Sequence, residues 1–287
     1  MRTQSSDTSP EAEQMLISLI RKAPITKRFE LVNSWTKSFV QLSQHNILES
    51  YPDANEQELA FLFLSQDYGE AIAELAKKKL TDIHTLPVPD LLTTLDSIAE
   101  VFEYMKIPYY IGGSIASSTH GMRQAAKDID IVANIHHAHM LSFIAMIQAD
   151  YYADEKAIGK AVQEHTFFSI IHLDTLFKVD VFVPELDDFN QQIFKRTKRH
   201  LLEKDKHIFY LESPEDIILM KLKQYKHTEK NTDDQWNDIL GVFKVQGPSL
   251  DFAYLDKWAS LFKVKDLLEN ASIDAGLDGE KNEAKCR

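Results

Sequence analysis

Through the first third of the chain, apolar residues recur every three or four positions. Phe29, Val32, Trp35, Phe39 and Leu42 fall at helical spacing, with Thr26 placed to cap the helix. A second helix is predicted from near Asn55, carrying Leu59, Leu62 and Phe63, and a third holds Ile72, Leu75 and Leu80. The Trp, Phe and Leu stripe reads as helix-packing core, and no catalytic constellation occurs before Leu86. Leu86-Pro87-Val88-Pro89 then interrupts the pattern, since closely spaced prolines punctuate helices. Asp90 caps a further helix with Leu92, Leu95, Ile98, Phe102 and Met105 on one face.

From Pro108 the period shortens. Tyr109-Tyr110-Ile111, Ile129-Asp130-Ile131-Val132, Phe167 to Ile171, Phe177 to Val183 and Ile208 to Leu211 are short runs rich in β-branched or aromatic residues, each predicted to be a strand. His139 to Ile147 is helical in pattern, so strands and helices interleave as in an α/β unit. Ser213-Pro214-Glu215-Asp216 supplies a cap, a proline at the first helical position and an acid at the third, and two or three helices follow. The predicted organisation is a helical region over 1–86, an α/β core over 87–212, a helical region over 213–270 and a mobile polar tail over 271–287.

Composition narrows the class. The chain has 287 residues, 44% hydrophobic and 26% charged, ordinary values for a soluble globular protein. No apolar run approaches the roughly 18 residues that a membrane helix needs, and no signal-peptide core opens the sequence, so a cytoplasmic protein without membrane contact is expected. Cys286, the single cysteine, excludes an intramolecular disulfide. A net charge of −12 argues against a protein that coats nucleic acid, which needs clustered bases, and suits one whose carboxylates hold divalent metal.

Three motifs carry candidate chemistry. Gly112-Gly113-Ser114 follows a strand and opens a helix, where backbone N–H groups and a hydroxyl can meet phosphate; by itself it is a weak signal and reads first as a plain turn. Asp128 and Asp130 alternate with Ile129 and Ile131, so both carboxylates share one strand face. They form either a solvated strand end or an oxygen-ligand pair for magnesium or manganese. Asp180 stands inside the apolar run Val179 to Phe182 and needs a partner: a salt bridge to a nearby Lys or Arg, or a metal. His136, His137 and His139 lack the second ligand pair that zinc requires. The phosphate loop of P-loop enzymes, the Gly-x-Ser-x-Gly elbow and His-Glu-x-x-His are all absent.

In this order the signals resemble the nucleotidyltransferase superfamily, which includes polymerase beta-like enzymes. His120-Gly121-Met122-Arg123 leading to Lys127-Asp128-Ile129-Asp130, Ser213 to Asp216, Lys221, and Gln235-Trp236-Asn237-Asp238-Ile239 are similar to the bacterial AbiEii-type toxin branch. The resemblance spans about Leu91 to Ala259. It implies a mixed α/β nucleotidyltransferase core with a small sheet, flanked by helices. It further implies that Gly112, Gly113 and Ser114 hold a nucleoside triphosphate and that Asp128, Asp130 and Asp180 bind two Mg2+ or Mn2+ ions. Lys221 and Asp238 would contact the nucleotide. The implied reaction moves a nucleoside monophosphate to an acceptor hydroxyl on RNA, protein or a small molecule and releases pyrophosphate. The N-terminal helices are expected to recruit a protein partner or shape the acceptor site. The alternative is the same fold used for nucleotide or partner binding without catalysis.

Overall fold

A computed structural model describes residues 2–5, 7–80, 86, 90–201, 207–227 and 233–277. The proline-marked break over 87–89, residues 278–287 of the expected tail and Cys286 lie outside them.

Five helices precede the first strand: α1 Pro10–Lys22, α2 Ile25–Ser50, α3 Glu56–Tyr68, α4 Glu70–Leu80 and α5 Leu91–Met105. Local chemistry explains their ends. Asn55 and Glu58 form a reciprocal capping box at the start of α3, and Asp90 accepts from Leu92 and Thr93 to start α5. Gly69, at φ +93°, separates α3 from α4. Thr26 is not a cap: α2 begins at Ile25 behind Pro24 with no side-chain cap bond.

The α2 stripe also differs from expectation. Phe29 and Val32 are buried, but Trp35, Phe39 and Leu42 are 50%, 42% and 58% exposed. The buried face instead runs through Thr36, Val40, Ser43, Gln44 and Ile47. Polar positions go inward because they find hydrogen bonds: the Thr36 hydroxyl accepts from the Ala126 N–H at 2.9 Å, and Ser43 lies 3.4 Å from Asp67. On the outer face, the Arg123 guanidinium lies over the Trp35 ring.

The α/β part runs β1 Tyr109–Ile111, α6 Gly113–His120, β2 Ile129–Ala133, α7 Met140–Ile147, β3 Tyr151–Ala153, α8 Glu155–Glu164, β4 Phe167–His172, β5 Lys178–Phe182, α9 Asp188–Arg196, β6 Lys198–Leu201 and β7 Ile208–Leu211. The strands form one mixed sheet in the order β3-β4-β5-β2-β1-β7-β6. β1 is antiparallel to β2 and parallel to β7, and β2 is parallel to β5. Two strands were not expected, β3 and β6. Each is an edge strand of three or four residues, and Lys198-Arg199-His200 carries no apolar alternation.

Helices α10 Pro214–His227, α11 Asp233–Gln246, α12 Phe252–Leu261 and α13 Lys265–Ala275 close the fold. The tail expected from 271 begins as ordered helix, because Ala271, Ser272 and Ala275 are buried. One apolar cluster joins all parts, from Phe29 and Phe63 through Ile111 and Val181 to Leu240 and Leu268. At the N-terminal side, Phe29 stacks on Phe209 of β7 at 4.3 Å. Beneath α1, the fully buried Lys244 of α11 pairs with Glu13 at 2.8 Å. No helix among the described residues is long and apolar enough to cross a membrane.

Candidate active site

The site is built where β1 ends. Gly113 opens α6 at φ +55°, and a Cβ placed there would lie 1.7 Å from Oδ2 of Asp130. Only glycine lets the Asp130 carboxylate settle against that backbone. The Gly112 N–H donates to the Asp130 carbonyl at 3.0 Å, fixing the turn to β2. Next in line, the Ser114 N–H reaches the Asp130 side chain, while the buried Ser114 hydroxyl has no hydrogen-bond partner among the described residues.

Parallel pairing sets Asp130 directly beside Asp180. Asp128 precedes the first paired residue, Ile129, as Lys178 precedes Val179, so a second cross-strand pair stands behind the first. The salt bridge left open by the sequence is present. The Lys178 ammonium lies 2.8 Å from Asp180 and 3.0 Å from Asp128, and the Ser169 hydroxyl donates to the other Asp180 oxygen at 2.6 Å. Burial alone would lower Lys178, but its bonds to Asp180 and Asp128 more than offset that and hold it above its ordinary value.

Asp130 has no such cation. Burial, and then the neighbouring Asp128 and Asp180 charges, push its carboxyl up to about 6, against the opposing pull of the Ser114 N–H and Lys221. Among the described residues no three His, Cys, Asp or Glu side chains converge as a ready metal cluster; Asp128 and Asp180 turn to Lys178 instead. The donor set still fits a hard divalent cation. It consists of carboxylates, with an unpartnered hydroxyl nearby and neither sulfur nor imidazole.

In front of Asp130 opens a cavity of about 650 Å3 bounded by Gly112, Gly113, Ser114, Glu212 and Lys221, with Tyr110, Phe167 and Phe182 among its apolar walls. Lys221, on α10, pairs with Asp238 of α11 at 2.6 Å. Lys221 thus reaches the cavity, while Asp238 stands behind it and is not part of the cavity wall. A second cavity, of about 700 Å3, is lined by Arg28, His120 and Arg196. There Arg196 is spent on Glu215 and Asp216, and the aspartates and the glycine turn do not reach it. The chemistry therefore belongs to the first.

No protein-family description matches this chain, and no curated protein does. Several solved structures are similar in part. An antigenic nucleotidyltransferase-like protein from Paracoccidioides brasiliensis is 18% identical, over 63% of this chain and 91% of that one, with a TM-score of 0.39. The antibiotic-resistance factor ANT(2'')-Ia is 13% identical over 62% and 94%, TM-score 0.41. The lincosamide antibiotic adenylyltransferase LnuA is 16% identical over 53% and 96%, TM-score 0.35. None of the three is described as an AbiEii-type toxin, so this likeness does not reach that branch. Scores below 0.5 describe partial likeness, so the chemistry of this chain has to be read from its own side chains.

Three residues at the site carried no role in the sequence reading. Glu212 follows β7 and sits against Gly112, where a Cβ would meet its Oε2 at 3.1 Å; burial, then Asp216, push its carboxyl well up. Its place after the last strand was visible, but which side of that strand end it served was not. Lys178 was legible, since it stands two residues before Asp180 on the same face. Tyr68 comes from α3: its hydroxyl accepts from the Lys178 backbone N–H at 3.4 Å, and the Lys178 ammonium lies 5.8 Å from its ring centre. Nothing local in the sequence signals that contact.

Proposed function

We propose that this chain is a metal-dependent nucleotidyltransferase that moves a nucleoside monophosphate from a triphosphate to an acceptor hydroxyl. The observation that carries the reading is the turn at Gly113. A glycine in the left-handed region makes room for a poorly compensated Asp130, and the adjacent Ser114 hydroxyl is buried without a partner among the described residues, at a cavity of nucleotide size.

Gly113 would hold the triphosphate through its backbone N–H and Ser114 through its hydroxyl, at the start of α6. Lys221, held by Asp238, adds a positive charge on the cavity wall toward the phosphates. Asp128, Asp130 and Asp180 are the residues that would hold divalent cation. Bound Mg2+ or Mn2+ would supply charge neutralisation on the transferring phosphoryl group. The apolar walls would limit the water that competes with the acceptor hydroxyl for the activated phosphoryl group.

The AbiEii-type resemblance rests on the Ser213 to Asp216, Lys221 and Asp238 pattern and supports a toxin-like role within this reading. A second reading, nucleotide binding without transfer, is favoured by the Lys178 bridge, which satisfies two of the three carboxylates without any metal. One experiment separates the two. The protein is incubated with each α-labelled nucleoside triphosphate and Mg2+ in a cell lysate, and the RNA, protein and small-molecule fractions are assayed for label. Transfer from at least one triphosphate, lost in Asp130→Ala, is expected. A melting temperature raised by a triphosphate with no label transferred in any fraction would leave binding alone.

A further inference from the structure

The Lys178 ammonium occupies a position that two carboxylates already define. It lies within 3.0 Å of both Asp128 and Asp180, only 14% of its side chain is exposed, and it is tethered by its own strand. Tyr68 confines it further, accepting from its backbone N–H and standing beside its ammonium. Around this centre, three carboxylates and one ammonium leave two negative charges, which a single divalent ion balances. Lys221 and Asp238, an ion pair at 2.6 Å, together add no net charge to that balance.

We propose that Lys178 is a built-in cation that takes the place of one of two metal ions, so that the site loads a single divalent ion, held by Asp130 and Asp128. The proposal rests on the metal-dependent reading above and sharpens it: Asp180 becomes the anchor of Lys178 rather than a ligand. A second divalent ion between Asp128 and Asp180 would have to expel the ammonium while approaching another positive charge at close range, and like charges at that distance repel strongly outside bulk water. The ammonium needs no recruitment from solution, since it is part of the strand that carries Asp180. Lys178 is in this sense a positioning residue: it fixes Asp128 and Asp180 and limits how many ions enter.

The test counts ions rather than turnover. Wild type, Lys178→Met and Lys178→Arg are crystallised with Mn2+ and each of the four α,β-methylene nucleoside triphosphates in turn, and anomalous scattering at the manganese edge locates the bound ions. One peak per chain is expected in wild type and in Lys178→Arg, and two in Lys178→Met. Lys178→Gln replaces the Met variant if that chain does not fold, and the wild-type count can overturn the proposal by itself. Two peaks in wild type, with Lys178 turned away from Asp180, would overturn it and leave the metal-dependent reading standing. One peak in every variant would also overturn it, because then Lys178 does not set the count. No peak in any chain would bring down the metal-dependent reading, and the proposal with it.

Discussion

Two buried charge clusters in this protein are built in opposite ways. Beneath α1, Lys244 and Glu13 form a pair 2.8 Å apart, both essentially without solvent contact, and Lys244 also donates to the Arg2 carbonyl. At the head of the sheet, Asp128, Asp130 and Asp180 crowd together with one lysine between them, and Asp130 is left to a backbone N–H. The first cluster balances its charge and links two helices. The second keeps an excess of negative charge, with Asp130 alone of the three facing the cavity. A structural ion pair gains from closure, whereas a site that must receive a cation has to keep a deficit.

Breaking each cluster should therefore give opposite signatures. The largest effect is expected from Asp130→Ala, which should cut label transfer on the order of a thousandfold or more while the chain stays folded. Label transfer and circular dichroism on the same preparation check this. Wild-type transfer by the variant would remove Asp130 from the chemistry. At the other cluster, Glu13→Ala should cost about 3–5 kcal/mol of stability, because it strands the Lys244 charge in the interior. Urea unfolding measures it, and the Glu13→Ala, Lys244→Met double variant should recover much of the loss. A single variant as stable as wild type would show the pair to be idle.

Asp130→Asn sharpens the contrast through pH. Unfolded, the Asp130 carboxyl titrates near 3.8, and in the fold at about 6. Its folded form holds a proton that the unfolded chain has released, so this stabilising contribution is complete below 3.8 and lost as pH rises through 6. Above that range a buried charge opposes folding. In EDTA at pH 7.5, Asn at this position should therefore stabilise the chain by about 2–3 kcal/mol. The gap should close between pH 6 and 3.8, and a gap that stays constant with pH would contradict the burial of that charge.

The smallest expected effect concerns Lys221, which stands at the cavity. Lys221→Met should reduce transfer roughly tenfold, on the order of 1.4 kcal/mol. Met at Lys226, bonded to the Phe262 and Lys263 carbonyls, should leave transfer nearly unchanged, and Met at Lys223, which also lines the cavity but whose ammonium lies over the Phe262 ring, should cost less than Met at Lys221. Equal losses at all three positions would make Lys221 an ordinary helix lysine.

Much of this architecture was legible because the informative signals were local. Five strand positions, the Asn55 and Asp90 helix starts and the common face of Asp128 and Asp130 follow from period and capping chemistry. Misreadings arose where long-range contacts decide. Trp35, Phe39 and Leu42 look like core at helical spacing, yet Thr36 and Ser43 go inward because Ala126 and Asp67 offer partners from elsewhere in the chain. β6 is too short and too basic to announce itself, and its place comes from pairing with β7. Asp128, Asp130 and Gly113 could be singled out by sequence, but that Asp130 fills the space of a missing side chain at Gly113, or that Tyr68 confines Lys178, depends on approaches no spacing encodes.

The end of α6 bears on how this chain can be altered. A Cβ on Gly121 would lie 2.7 Å from backbone atoms of Gly241 and Val242, so the segment closing α6 meets α11 backbone to backbone. α6 begins at the Gly113 turn, and α11 carries Asp238, which steadies Lys221. One rigid seam thus runs from the aspartates to the C-terminal helices. A graft after Leu211 would have to bring its own glycine opposite Gly121, or the close approach of α6 and α11 would open.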